Sequence, residues 1–113
     1  MGNSTKFQIK PSENQVLAAV ANYLKLRGVF FWRTNNIPVY DKTRGAFRSM
    51  PEFSRKGVPD IIAIVKGQFV GLEMKRPDGR QSADQKQFEE DVVKAGGRYF
   101  VIKSIDDIRD AGF

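Results

Sequence analysis

The chain has 113 residues and a formal net charge of +6, with neither cysteine nor histidine. Disulfide scaffolds, thiol nucleophiles, Ser-His-Asp triads and Cys- or His-based metal sites are therefore excluded. Any acid–base or metal chemistry must run on Asp, Glu, Lys, Tyr, water and oxygen-preferring ions. The length suits one domain spanning residues 1–113. No apolar run approaches the roughly 20 residues that span a bilayer. The start, Met1 to Lys6, lacks the apolar stretch of a secretion signal, so the expected setting is cytoplasmic.

Ser12-Glu13-Asn14-Gln15 predicts a capping box. Val16, Leu17, Val20 and Leu24 then follow at helical spacing up to Arg27, with Gly28 as the stop. Val29 to Arg33 is β-branched and aromatic and reads as a strand. About Asn35 to Val58 reads as a long irregular segment holding Pro38, Gly45, Pro51 and Gly57. Asp60–Val65 and Phe69–Lys75 read as two strands of a hairpin. Ser82 to Gln85 is a second capping box, opening a helix with Phe88, Val92 and Ala95 on one face. That helix stops at Gly96-Gly97. Tyr99–Ile102 is a last strand, and Ser104 caps a short C-terminal helix with Ile105 and Ile108 inward. The expected fold is α/β, with a mixed four-stranded sheet flanked by helices. The strands on either side of the crossover helix should run parallel.

The charge is uneven. Arg33, Lys42, Arg44, Arg48, Arg55 and Lys56 face only Asp41 and Glu52 in the same stretch. Such a segment is either a solvated loop or a surface for a polyanion, most often nucleic acid.

The hairpin places an acid pair. If Lys66-Gly67 is a two-residue turn, Val65 faces Gln68, Ile64 faces Phe69 and Asp60 faces Glu73. Directly opposed side chains stand roughly 5 Å apart at Cβ. Lys75 lies two residues on, on the same face. A turn at Gly67-Gln68 puts Asp60 opposite Lys75 instead, and a three-residue loop sends Asp60 to the other face. Two adjacent carboxylates repel, and a divalent cation relieves them; with oxygen ligands alone, Mg²⁺ or Mn²⁺ fits. The plain alternative is a surface ion pair. Glu13 shares a helix face with Leu17, Val20 and Leu24 and could bring a third carboxylate, or simply complement the helix dipole. Gln85 faces the same way as Phe88 and is either a cap or a site contact.

Gly57-Val58-Pro59-Asp60 followed by Glu73-Met74-Lys75 resembles the PD-(D/E)xK nuclease superfamily, whose core is an αβββαβ arrangement. Within it the chain looks most like a VRR-NUC (virus-type replication-repair nuclease) domain, from about Ser12 to Ile102. Matching features are Glu13, Lys56 to Asp60, Glu73-Met74-Lys75 and Gln85 in a Ser-x-x-Gln helix start. The resemblance implies a restriction-endonuclease-like fold and Mg²⁺- or Mn²⁺-dependent hydrolysis of DNA. Asp60, Glu73 and the Met74 backbone carbonyl would hold the metal, with Glu13 joining through water. Lys75 would position the attacking water, and Gln85 would give polar support. It further implies a homodimer acting on branched DNA, including Holliday junctions. Flap or duplex cleavage, or a non-catalytic basic DNA-binding domain, are the alternatives. Arg33, Lys42, Arg44, Arg48, Arg55 and Lys56 would contact phosphates. Phe30, Phe31, Trp32 and the Ile37 to Phe47 segment are candidate dimer surface, although at least two of the three aromatics are expected in the core.

Overall fold

The protein is described by a computed structural model over residues 10–34, 40–43, 45–47 and 51–113. The first helix, α1 (Glu13–Leu26), begins with the expected capping box. Ser12 Oγ accepts from the Gln15 amide at 3.2 Å, and Gln15 Oε1 accepts from the Ser12 amide at 2.8 Å. Two otherwise orphaned helix donors are thereby satisfied. Val16, Leu17, Val20 and Leu24 form its buried stripe. Gly28, with φ +72°, turns the chain into strand β1 (Phe30–Arg33).

Two short strands, β2 (Tyr40–Asp41) and β3 (Ala46–Phe47), pair antiparallel in a sheet of their own. They lie inside the stretch expected to be irregular. Strands this short carry no periodic signal to read.

Strands β4 (Ile61–Val65) and β5 (Gln68–Met74) form the hairpin. Lys66 and Gly67 both take positive φ, 51° and 79°. This is the type I′ geometry whose twist matches that of paired strands. The register is the expected one: Val65 faces Gln68, Ile64 faces Phe69 and Ile61 faces Leu72. Helix α2 (Ala83–Lys94) then crosses over to β6 (Arg98–Ile102), which runs parallel to β5. Helix α3 (Ile105–Asp110) ends the fold, with Ser104 as its cap. The result is an α/β protein with an open, mixed four-stranded sheet, ordered β1-β4-β5-β6.

The two sheet faces differ. Ile61, Ala63, Val70, Leu72, Met74 and Ile102 pack against Val20 and Leu24 of α1 and Ile108 of α3 in one buried core. The opposite face carries Gly71, Glu73 and Tyr99, with α2 packed against β6. Alternation along β1 explains a departure from expectation. Phe31 turns to the core, but Phe30 and Trp32 are 67% and 43% exposed. Only one of the three aromatics is therefore a core residue. β1 is an edge strand, beyond the part of the sheet that α2 packs on. Among the described residues no helix is long and apolar enough to cross a membrane.

Candidate active site

The hairpin register makes Asp60 and Glu73 the next opposed pair beyond Ile61 and Leu72. Alternation turns both away from the α1 core. Glu73 is 3% exposed, the one charged residue among the fully buried ones described. Its Oε1 is buried without a hydrogen-bond partner. Burial pushes the Glu73 carboxyl up to about 9, and its hydrogen bond with Asp60 and the Asp60 charge push the same way. Lys75 opposes the shift, and Glu13 adds slightly to it. At neutral pH Glu73 therefore keeps its proton.

Asp60 is held from three directions. Its Oδ2 accepts from the Met74 amide at 2.8 Å. Its own carbonyl accepts from the Thr34 amide at 2.9 Å. The Thr34 hydroxyl donates to the carbonyl of Pro59 at 2.6 Å. Thr34, just past the end of β1, thus ties down the peptide groups on both sides of the Asp60 nitrogen and α-carbon. Thr34→Val, which keeps the shape and removes the donor, is expected to cost about 1 kcal/mol in urea unfolding. Thr34→Ser should retain most of it, and equal losses for both would reject the hydroxyl's role.

Lys75 is largely buried, and its ammonium stands 3.8 Å from Glu13 Oε1. Glu13 itself is exposed at the start of α1. It therefore reaches the site through the lysine rather than by joining the acid pair. Among the described residues no three acidic side chains converge as a ready metal cage. The donors that do converge still suit a hard divalent cation. They are two carboxylates, one with an orphaned buried oxygen.

Gln85 is occupied in a different way. Its Oε1 accepts from the Ser82 amide at 2.8 Å while its own amide donates to Ser82 Oγ. Its side chain closes the second capping box, the plainer of its two sequence readings. Gly57 abuts this helix start. A Cβ there would collide with the Asp84 carbonyl and lie 2.7 Å from the Gln85 nitrogen.

The basic residues separate. Arg33, Lys42 and Lys56 are exposed. Arg55 pairs with Asp91 of α2 and lies 5.6 Å over the Phe88 ring, so it tethers its loop to that helix. Arg44 and Arg48 fall outside the described residues, as does part of the Ile37 to Phe47 segment.

Sequence reading missed Thr34 and Tyr99. The Tyr99 hydroxyl is pushed up by burial and by the Glu73 charge, which places it beside the acid pair. Its signal was the parallel register, which sets it opposite Gly71, two residues from Glu73 on the same face. Thr34 gave no signal, because the segment separating it from Asp60 has no predictable register. The chain matches no protein-family model, no curated protein and no solved structure.

Proposed function

We propose that this chain is a metal-dependent DNA endonuclease, a VRR-NUC-like member of the PD-(D/E)xK superfamily with a restriction-endonuclease-like fold. The observation that carries the reading is buried Glu73 beside Asp60, with an unsatisfied oxygen and Lys75 two residues on. A purely structural ion pair would sit at the surface or satisfy its buried oxygens. The element order α1, β1, β4, β5, α2, β6 around the main sheet supports the same reading, since it is the αβββαβ order of that superfamily.

Asp60 and Glu73 would hold Mg²⁺ or Mn²⁺ together with the Met74 carbonyl, and Glu13 would act through Lys75. Such an ion, when bound, offsets phosphate charge and acidifies water. Thr34 and the Met74 amide keep Asp60 in place. Lys75, steadied by Glu13, presents its ammonium beside the acids. There it orients the attacking water and favours the extra negative charge at phosphorus. Water adds to phosphorus and releases a proton to solvent, one ester P–O bond breaks, and the leaving oxygen takes a proton from solvent. Arg33, Lys42 and Lys56 supply sequence-independent attraction to the backbone.

The substrate we favour is branched DNA, with a four-way junction as the clearest case. A junction has near two-fold symmetry and one chain carries one acid pair. A C₂ homodimer is the simplest source of paired incisions. The test incubates a four-way junction, a flap and a linear duplex with the protein in EDTA, Mg²⁺ or Mn²⁺. Symmetric paired nicks in the junction, lost in Asp60→Asn and Lys75→Ala, are expected. One-sided flap incision or duplex cutting would change the substrate. Absence of cleavage with either metal would overturn the enzyme and leave a basic DNA-binding domain. Sedimentation at the mass of one chain at micromolar concentration would reject the dimer.

A further inference from the structure

The aromatic edge of the sheet faces the same side as the acid pair. Trp32 pairs with Ile62 and Phe30 with Ile64. Residues directly opposed across a ladder point to one face, so Asp60, two residues before Ile62, is on that face too. Two residues of strand span roughly 7 Å. Trp32 thus stands one strand over and one side-chain step away from the carboxylates. The Phe30 and Trp32 rings are tilted by 55° at 5.8 Å between centroids, and both remain open to solvent. The next residue, Arg33, is exposed and cationic.

We infer that Phe30 and Trp32 form a stacking platform for unpaired nucleobases next to the phosphate held at the acid pair. This rests on the nuclease reading and deepens it, because it names the feature of the substrate the site would select. Exposed aromatics stack on any base through its π-face. A neighbouring arginine neutralises the backbone that brings the base there. Base-paired duplex hides those faces, whereas a branch point or single strand offers them. A second copy of the chain fits this patch less well. Aromatic side chains bury about 150–250 Å² each, so these partly exposed rings offer roughly 250 Å². A stable interface needs about 800 Å² per partner.

Trp32 is the only tryptophan in the chain, so its emission reports on this face directly. The experiment works in EDTA, where no cleavage occurs, with linear duplex, the same duplex carrying an unpaired thymine bubble, and single-stranded oligothymidine. Binding is followed by anisotropy of labelled DNA, and stacking by Trp32 emission. At saturation, emission should be quenched by the bubble and the single strand but not by duplex. Trp32→Ala and Phe30→Ala should weaken binding to the unpaired forms about ten-fold and leave duplex binding within two-fold. Trp32→Phe should restore most of the lost affinity. Saturable binding with unchanged emission, or equal losses on duplex, would overturn the platform while leaving the nuclease reading intact. A DNA-independent emission change that grows with protein concentration would assign the face to a second copy and also overturn it. Failure to bind any DNA in EDTA would overturn the platform, while cleavage in Mg²⁺ or Mn²⁺ tests the nuclease reading separately.

Discussion

In EDTA, Glu73→Gln is expected to be more stable than the parent chain at pH 8 and equal to it near pH 4.5. The folded protein holds the Glu73 proton up to about 9, far above the ordinary carboxyl value of 4.5. Below 4.5 both folded and unfolded chains are protonated there, and the residue carries no pH-dependent penalty. Above 4.5 the unfolded chain releases its proton while the folded chain keeps it. Stability present at low pH is then lost progressively as pH rises toward 9. Each pH unit in that window costs about 1.4 kcal/mol. The parent should therefore lose on the order of 5 kcal/mol by pH 8, and the glutamine, which does not ionise, should not. Melting curves of the two proteins at pH 5 and pH 8 check this. A difference that does not change with pH would contradict it.

Metal reverses the comparison. A cation that binds only the folded parent stabilises it by mass action. Glu73→Gln should gain little, because its amide cannot release a proton and provide a charged ligand. Its cleavage of junction DNA should fall at least about a hundred-fold, the upper loss typical for groups that merely support metal ligands. Gain of stability with loss of activity is the pattern of a residue kept for function.

The second large effect is structural. Gly57→Ala should cost about 3 kcal/mol or more and lower the melting temperature by roughly 10 °C. Two penalties coincide at this residue. Its φ of +76° is a left-handed conformation that favours glycine. Its α-carbon also faces the backbone of Asp84 and Gln85, where an added methyl group meets main chain that cannot rotate away. Gly28→Ala is the control, since Gly28 has a similar φ of +72° with nothing within 4 Å of the added carbon. That substitution should cost only about 1 kcal/mol. Similar losses at both positions would reject the contact between the Asp60 loop and the start of α2. Gly57 lies three residues before Asp60, so the contact links the capped helix start to the acid pair.

The parts legible in sequence were those set by local rules. Helix starts followed from Ser-x-x-Gln spacing, and the hairpin register is the one that a Lys66-Gly67 turn implies. That register sets Asp60 opposite Glu73, one of three arrangements open in the sequence, and the positive φ at Lys66 and Gly67 selects it. What escaped depends on distant segments. The hydrogen bonds of Thr34 cross a 25-residue separation. Whether Phe30 and Trp32 are covered depends on how far a later helix extends over the sheet. Arg55 looked like a free phosphate contact because Asp91, 36 residues on, is invisible to a charge count. Gln85 had two local readings, and the capping bond accounts for its carbonyl oxygen.

Asp60 and Glu73 would together hold a divalent cation once Glu73 gives up its proton. Calorimetric titration of Mn²⁺ into the protein at pH 7.5, repeated in buffers of different ionisation enthalpy, tests it directly. Saturable binding with about one proton released per ion is expected. That binding should be lost in both Asp60→Asn and Glu73→Gln. No saturable binding, or binding that survives both substitutions without proton release, would contradict it.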